Sequence, residues 1–365
     1  MMTETPKILV AGNSGHITET EMIIGLRKAG YDVTAAYRSG SPQIPILKAS
    51  GVPTRELNLK KGIDIPSIIK IRKWLRRERF NILHALSNQA TTNFLWASYG
   101  NSNKVIAYRG AIGHVSRMDP TCYLKWLNPR LDQIICVSNA VKNDLTENGV
   151  PPEKLRTIYK GHSIEWYDFK KKGDPDAQIR MLFGIPDDAV LIGMVANMRP
   201  VKGADVLLQA VEKLPAQIHA ILIGDVRDPK LAGLATKPAL RGRIHFTGYR
   251  ADATHLIGGL TVNVAPSRGR EGLTRTVIEG MAQGVPAVVT GAGGLPEIVD
   301  DRSTGFVVAS DDPVTLANRI FELVQNPTLR ESMGAAAKMR IQKHFNINTT
   351  IAETADCYTA LLNRT

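Results

Sequence analysis

Cysteine is scarce in this chain of 365 residues, and its three cysteines, Cys122, Cys136 and Cys357, lie far apart without metal-ligand spacing. This spacing argues against a disulfide framework and indicates the reduced thiols of a cytoplasmic protein. The chain also lacks any apolar run near the roughly 20 residues that a membrane-spanning helix needs. Its first residues, MMTETPKILVAG, show no basic-then-apolar signal pattern. These absences favour a soluble protein inside the cell.

Acidic residues are outnumbered, 34 against 46 lysines and arginines, which gives a formal net charge of +12. The excess is concentrated in residues 60–79, where isoleucine, leucine and tryptophan are interleaved with basic residues. An amphipathic helix of this kind would lie on anionic lipid or meet an anionic acceptor; the alternative is a packed helix with a solvated outer face. No nucleic-acid partner is expected, because no aromatic stacking pattern accompanies the charge. The basic residues are Lys60, Lys61, Lys70, Arg72, Lys73, Arg76, Arg77 and Arg79.

Short apolar runs alternate with helical segments along the whole chain, which predicts parallel, doubly wound α/β sheets. The pattern restarts at Val190, so a second Rossmann-like domain is expected there, and the chain is long enough for two cores. The first helix is predicted over 18–29, with Thr18 and Glu21 spaced as a capping box. The predicted strands are 7–11, 32–36, 81–86, 104–108, 133–137, 190–195, 220–223, 244–246, 261–264 and 287–289.

Residues 266–289 are the most informative part of the chain. A buried strand ends just before them, a glycine-containing loop follows, and residues 274–283 have helical spacing. Backbone N–H groups around Gly272, Leu273 and Thr274 would point at an anion, and the helix dipole adds roughly half a positive charge there. This arrangement predicts a phosphate site at a helix N-terminus.

Two glutamates flank that helix start. Glu279 lies within the helix, where its carboxylate would reach the ribose hydroxyls of a nucleotide whose diphosphate rests on the N-terminus. Glu271 precedes the helix and would face the group being transferred. The alternative is a solvated helix with two surface acids, but the glycines and the helix start favour nucleotide-sugar chemistry.

The segment PSRGREGLTRTVIEGMAQGVPAVV resembles the EX7E signature of retaining GT-B glycosyltransferases of family 4, whose usual form is close to PSxxEGFGLxxLEAMAxGxPVV. AGGLPEIV resembles the family's GGxxEIV turn, and MVANMRPVKGADVLLQA its RLxxxKGxDxLLxA segment. GFVV, LIGD and FTGY resemble further strands and strand ends of the family. The resemblance covers nearly the whole chain, densely after about residue 180 and loosely before it.

This resemblance implies a GT-B fold, with two Rossmann-like domains facing an interdomain cleft that holds the active site. Residues 1–165 would form the acceptor-binding domain, completed by a C-terminal helix over 348–365. Residues 166–175, rich in lysine, would be the linker, and residues 176–347 the nucleotide-sugar-binding domain.

It also implies roles for individual residues of the second domain. Lys202 would stabilise the leaving diphosphate electrostatically. Asn197 stands where the family usually has an arginine, for which Arg199 is a candidate substitute. Thr274 replaces the glycine of EGFGL, and would either narrow the room beside the phosphate or add a hydroxyl contact. The expected catalytic residues are Lys202, Glu271, Arg199 and His114. The expected donor-binding residues are Gly15, Asn197, Gly248, Tyr249, Arg250, Gly272, Leu273, Thr274 and Glu279.

Three regions of the N-terminal half are candidates for sugar or acceptor contacts. The loop 12–16 would let backbone approach the diphosphate or acceptor, and its His16 would contact either substrate or be incidental. His84 ends a strand where the family often has HxH, although leucine occupies the second histidine position. Arg109 and His114 would bind an anionic acceptor or the transferred sugar, or belong to a plain loop.

The resemblance implies transfer of a sugar from a nucleoside diphosphate sugar with retention, by front-face attack and without a protein nucleophile. Uridine is favoured as the base. Asp174 and Asp176 form a DxD pattern, but they lie in the lysine-rich linker, so no metal and no other cofactor is expected. The basic N-terminal half favours a glycan or lipid-linked acceptor, as in bacterial envelope or lipopolysaccharide synthesis, at the inner face of the cytoplasmic membrane.

Three other functions stay open. A GT-B-type sugar-nucleotide epimerase would isomerise the donor without an acceptor. A non-catalytic nucleotide-sugar or membrane-surface binding protein would bind the donor without turnover. A dinucleotide-dependent oxidoreductase is disfavoured, because neither domain carries the full GxGxxG fingerprint.

Overall fold

The computed structural model describes residues 5–13, 16–169 and 173–364. It consists of two compact units, one holding residues 1–161 and 345–365, the other residues 162–344. The lysines 170–172 of the expected linker and Gly15 of the expected donor site lie outside the described residues.

The first unit alternates strands and helices along the chain. Its strands are β1 (Lys7–Ala11), β2 (Asp32–Tyr37), β3 (Thr54–Glu56), β4 (Ile82–Ala85), β5 (Lys104–Arg109), β6 (Gln133–Cys136) and β7 (Leu155–Thr157). Its helices are α1 (Ile17–Lys28), α2 (Gln43–Ala49), α3 (Ile65–Glu78), α4 (Asn88–Ser98), α5 (Pro120–Tyr123), α6 (Asn139–Glu147) and, from the end of the chain, α15 (Ile347–Leu362).

The seven strands form one parallel sheet in the order β3-β2-β1-β4-β5-β6-β7. Residues 8–11 of β1 are fully buried, which is why this run has no alternation of polar and apolar residues. The strand order reverses between β1 and β4, so their following loops diverge to opposite faces. Such a switch point is where open α/β sheets bind ligands.

The first helix begins one residue earlier than predicted, and Thr18 is not its cap. The amides of Glu19 and Thr20 both donate to the His16 carbonyl at 3.0 Å, which makes His16 the capping residue. The His16 Nδ1 accepts from the Thr18 amide at 3.3 Å. A histidine thus fills the position that the capping-box pattern assigned to threonine.

Helix α15 packs against α1. Gly25 allows this close approach, because a Cβ there would lie 2.2 Å from the Ile351 side chain. The Tyr31 hydroxyl also donates to the Ala355 carbonyl at 3.2 Å. The end of the chain is therefore part of the first unit's fold.

The second unit repeats the pattern. Its strands are β8 (Val190–Val195), β9 (Ile218–Ile223), β10 (Ile244–Gly248), β11 (Val262–Ala265), β12 (Ala287–Thr290) and β13 (Gly305–Val308). Its helices are α7 (Pro175–Phe183), α8 (Ala204–Val211), α9 (Lys230–Ala235), α10 (Ala253–Leu256), α11 (Arg275–Ala282), α12 (Leu295–Ile298), α13 (Pro313–Gln325) and α14 (Pro327–His344). Short 3-10 turns lie at Ile164–Tyr167, Pro200–Lys202 and Ile257–Gly259 of this unit, and at Pro152–Lys154 of the first unit.

These six strands form a second parallel sheet in the order β10-β9-β8-β11-β12-β13. The switch point lies between β8 and β11, at the middle of the sheet. Leu191, Leu222, Val262 and Val288 are fully buried on these strands and belong to the core on the two faces of the sheet. The prediction of two parallel α/β sheets is confirmed.

The ten strands predicted from apolar runs are present, with ends shifted by one or two residues. Two short strands were missed, β3 and β7, because three residues are too few to show a pattern. The three cysteines are buried and unbridged. Within the described part of the chain, no helix is long and apolar enough to cross a bilayer.

Candidate functional site

The site is built at the switch point of the second sheet. Strands β8 and β11 are neighbours, with Val262 opposite Ile192 and Asn263 opposite Gly193. The loop after β8 carries Lys202, and the loop after β11 carries Glu271. Parallel strands present their following loops at one edge, so the topology brings together two residues that are distant in sequence.

Lys202 and Glu271 form an ion pair. The Lys202 Nζ lies 2.6 Å from the Glu271 Oε1, and the two side chains are 19% and 7% exposed. A carboxylate this buried needs a charged or hydrogen-bonding partner, because desolvation otherwise opposes its ionised form. The pair thus places a fixed positive charge beside a fixed negative one at the sheet edge.

Two hydroxyls complete the surroundings of the Glu271 carboxylate. The Ser267 Oγ donates to Oε1 at 2.6 Å, and the Thr274 Oγ1 donates to Oε2 at 2.9 Å. The backbone carbonyl of Glu271 accepts from the Gly294 amide at 3.1 Å. Three side-chain donors fill three of the roughly four acceptor positions of a carboxylate, which fixes its orientation and leaves about one position open.

Helix α11 begins directly after these residues with Thr274 as its N-cap, and that side chain makes no capping bond to the helix. Among the described residues, the amides from Gly272 to Thr276 have no hydrogen-bond acceptor. These free donors and the helix dipole favour an anion at this end. The predicted anion site at Gly272, Leu273 and Thr274 therefore has the necessary geometry.

Glu279 lies one turn further along α11 and is 5% exposed. Burial raises its pKa, while Arg275 and Thr254 act in the opposite direction. The Arg275 Nε is 3.1 Å from Oε1, and the Thr254 Oγ1 donates to Oε2 at 3.1 Å. Glu279 is thus a buried acceptor on the same helix as the free amides. It is not a surface acid.

The remaining predicted donor residues are more exposed. Asn197 and Arg199 lie on the turn before Lys202, and the Arg199 side chain has no hydrogen-bond partner within the described ranges. Gly248 has φ +66°, and its carbonyl accepts from the Gly224 amide. Tyr249 is 77% exposed, whereas Arg250 is held by two hydrogen bonds to the neighbouring aspartate, at 2.8 and 2.7 Å.

His84, the predicted sugar contact on β4, is a buried residue. His84 is 1% exposed inside β4, and its Nδ1 lies 2.7 Å from the Tyr358 hydroxyl of α15. Burial lowers the pKa of His84 to about 3. Its Nδ1 thus faces α15, while its Nε2 is buried with no hydrogen-bond partner within the described residues.

Arg109, the last residue of β5, is also buried, at 7% exposure. Its guanidinium lies 4.7 Å from the Trp126 ring centroid and donates to the Gly113 carbonyl. Lys125 lies on the same ring at 4.7 Å, and burial together with Arg109 lowers the pKa of Lys125 to about 8. His114, with φ +63°, is exposed on the same loop. Arg109 therefore holds the loop, and His114 is the residue of this pair that a ligand can reach.

Ser267, Thr254 and Arg275 complete the site and were missed from the sequence. Ser267 is adjacent to the motif but has no distinguishing pattern. Thr254 comes from a different helix, so only the fold brings it to Glu279. Arg275 stands four residues before Glu279, and this i,i+4 spacing was an available signal.

Two family models match the chain, one in each unit. The model described as Glycosyltransferase Family 4 matches residues 20–166, and the model described as Glycosyl transferases group 1 matches residues 189–326. Together they cover most of the chain. The chain belongs to the group 1, family 4 glycosyltransferases.

Curated relatives agree with this family. A D-inositol 3-phosphate glycosyltransferase of Streptomyces scabiei is 30% identical over 58% of this chain and 50% of its own length. An N-acetyl-alpha-D-glucosaminyl L-malate synthase of Bacillus anthracis is 22% identical over 81% of this chain and 78% of its own. The chain thus spans about half the length of the first of these glycosyltransferases.

A solved structure of similar fold covers nearly the whole chain. HepE of Anabaena, crystallised in complex with UDP, superimposes with a TM-score of 0.81 at 21% identity, over 97% of this chain and 100% of that one. The GT-B fold expected for this chain is confirmed.

The two aspartates of the DxD pattern make structural contacts. Asp174 caps α7 by accepting from the Asp176 amide at 3.0 Å, and Asp176 pairs with Arg180. In the described part of the chain, no group of three or more histidine, cysteine or acidic residues is arranged to hold a metal. Independence of metal stays a prediction.

Proposed function

We propose that this chain is a retaining glycosyltransferase that moves a sugar from a UDP-sugar to a hydroxyl of a glycan or lipid-linked acceptor. The observation that carries the proposal is the position of the Lys202–Glu271 pair, at the free N-terminal amides of α11 with Glu279 buried one turn away. The HepE complexes with UDP and with UDP-glucose support uridine as the base.

Each residue of the pair has a separate role in this proposal. The α11 amides bind the diphosphate, and Lys202 offsets the negative charge that grows on it as the sugar–phosphate bond breaks. Glu279 accepts hydrogen bonds from the ribose. Glu271, with one acceptor position open, orients the transferred sugar. The transfer then depends on orientation and electrostatics, with no protein nucleophile, and without a metal or other cofactor.

The proposal is tested by incubating the wild-type protein with a panel of UDP-, GDP- and ADP-sugars, with and without a hydroxyl acceptor. We expect nucleoside diphosphate release to depend on the acceptor, and NMR of the product to show the donor's anomeric configuration. Donor isomerisation without an acceptor would indicate an epimerase. Donor binding without turnover of any kind would indicate a binding protein.

We also propose that the first unit meets an anionic lipid surface through α3 and the turn before it. Ile63, Ile65 and Ile69 are 47%, 65% and 51% exposed, although they are large apolar side chains. Lys73 and Arg77 are exposed on the same helix. Apolar anchors among cations are the combination that binds a membrane interface.

Other features of α3 favour the alternative of a packed helix with a solvated face. Ile71, Trp74 and Leu75 are buried against the unit, and Lys70 donates to the Glu56 carbonyl at 2.8 Å. The two possibilities differ in vesicle binding. We expect cosedimentation with phosphatidylglycerol vesicles that falls at high salt and in an Ile65→Ser/Ile69→Ser variant, but not in Ile46→Ser, which removes an equally exposed isoleucine from α2. Equal behaviour of the two variants would support the solvated face, and location at the inner membrane face would lose its support.

A further inference from the structure

Arg268 joins the two loops of the site. It lies in the loop after β11, three residues before Glu271, and its guanidinium contacts the turn after β8. The Nη1 donates to the Pro200 carbonyl at 2.6 Å. The Nη1 and Nη2 donate to the two Asp205 carboxylate oxygens at 2.8 and 2.7 Å. Pro200 and Asp205 lie on either side of Lys202, so Arg268 is hydrogen-bonded to the chain both before and after Lys202.

Backbone contacts bring the same two loops together. The Arg268 amide donates to the Val201 carbonyl at 2.9 Å. Gly203 has φ +69°, and a Cβ there would lie 1.9 Å from the Pro266 carbonyl oxygen. The turn that carries Lys202 is therefore pressed directly against the start of the loop that carries Glu271.

A third partner holds the other edge of the guanidinium. The Arg268 Nε donates to Asp311 at 2.5 Å, and Asp311 itself is 57% exposed. Burial by itself would raise the pKa of Asp205, but the hydrogen bonds and the charge of Arg268, together with backbone amides, leave the pKa of that carboxyl below its ordinary value. A planar fork that makes two parallel bonds to one carboxylate sets direction as well as distance, which a lysine ammonium does not do.

We propose that Arg268 is a positioning residue that sets the place of Lys202 relative to Glu271 and the α11 amides. The inference rests on the proposed function and adds a residue whose own side-chain bonds are to Pro200, Asp205 and Asp311. Lys202 ends a short 3-10 turn, Pro200–Lys202, and helix α8 begins only at Ala204. Because that turn is one residue from a glycine, the side chain of Lys202 depends on outside contacts for its position.

The test is a kinetic series of Arg268→Ala and Arg268→Lys, with Arg319→Ala as the matched control. Arg319 is another half-buried, ion-paired arginine of the same unit, paired with Glu322. A misplaced lysine lowers kcat by up to about 100-fold in Arg268→Ala, while the donor KM changes by less than about threefold. Arg268→Lys restores part of the loss, because it keeps the charge but loses the fork. Arg319→Ala leaves kcat unchanged.

A double-mutant cycle separates positioning from general damage. If Arg268 acts through Lys202, adding Arg268→Ala to Lys202→Ala lowers kcat by less than about twofold, since the group being positioned is already gone. Multiplicative losses would overturn the inference. Where Arg268→Ala does not fold, Asp311→Asn weakens only the bond between Asp311 and the Arg268 Nε, and the same double-mutant cycle applies to that variant.

Failure of the proposed function and failure of the Arg268 positioning role give different results. A wild-type protein that transfers no sugar removes the proposed function itself. A Lys202→Ala variant as active as wild type leaves sugar transfer standing but removes the role of Lys202, and with it the positioning role of Arg268. A wild-type protein that is active, impaired by Lys202→Ala and indifferent to Arg268→Ala leaves the function standing and removes only the positioning role.

Discussion

The switch points of the two sheets carry different residues. In the second unit, the loops after β8 and β11 hold Lys202 and Glu271 with 2.6 Å between their charged atoms. In the first unit, β1 and β4 are the neighbours at the switch, and His84 lies within β4, buried and bonded to Tyr358. One topology therefore supports a charged site in one unit and helix packing in the other.

The difference lies in where a polar residue stands relative to the end of its strand. Lys202 and Glu271 follow their strands by several residues, on turns that leave the sheet. His84 stands one residue before the end of β4, where side chains alternate between the two covered faces. Lys202 and Glu271 lie beyond the paired residues of their strands, whereas His84 is paired with Ile106 within the sheet.

Of the variants that compare the two switch points, Lys202→Ala should lose the most activity. Lys202→Ala leaves Glu271 buried without its cation and removes the charge beside the α11 amides. We expect kcat to fall about 100- to 1000-fold, as when one preorganised donor to a developing anion is lost. Steady-state kinetics of Lys213→Ala, an exposed lysine of the same unit, provides the control. Activity of Lys202→Ala within threefold of wild type would place the chemistry elsewhere.

Gly203→Ala should be nearly as damaging, because the added methyl meets the Pro266 carbonyl and displaces the Lys202 turn. We expect up to about a 100-fold loss of kcat. Gly242→Ala isolates the backbone strain, since Gly242 has φ +77° and open space around it. That control should lose about 1–2 kcal/mol of stability and no activity. Equal losses of kcat in Gly203→Ala and Gly242→Ala would show that backbone strain, and not the contact between the two loops, lowers the activity.

His84 should affect stability and its pH dependence, because burial lowers its pKa to about 3 from the ordinary 6.5. The unfolded chain takes up a proton first as pH falls below 6.5, so this contribution is complete above pH 6.5 and is lost as pH falls toward 3. Relative to His84→Gln, wild type should lose about 2 kcal/mol of unfolding free energy between pH 7 and pH 5. Urea unfolding at both pH values measures it. Parallel pH curves for the two proteins would contradict the buried, neutral histidine.

Thr274 should show the smallest effect. Thr274→Val removes the hydroxyl that donates to the Glu271 Oε2, which corresponds to about 1 kcal/mol, or about a fivefold loss of kcat. Thr274→Ser keeps the hydroxyl and should stay within twofold of wild type. If the serine variant loses as much as the valine variant, the methyl group rather than the hydroxyl holds Glu271.

The sequence predicted the sheets well, because fully buried parallel strands are continuous apolar runs that need no tertiary information. The candidates Lys202, Glu271 and Glu279 came from the family resemblance and from the order of strand, loop and helix, and the structure pairs Lys202 with Glu271 and buries Glu279 on α11. Thr254 and Arg268 were not identifiable as site residues, since their partners come from distant segments joined only by the fold. The burial of His84 could not be predicted, because a family pattern gives a residue type but not the face of the strand on which that residue lies.

Calorimetric titration of UDP into wild type and Glu279→Gln tests the central claim most directly. Glu331→Gln, at an exposed position of helix α14, serves as the control. We predict that UDP binds the wild type and the control equally. In Glu279→Gln, loss of the charged acceptor should weaken binding about 10- to 100-fold, equivalent to about 1.5–3 kcal/mol. Equal UDP affinity in all three proteins, or no binding at millimolar UDP, would contradict a nucleoside diphosphate site on α11.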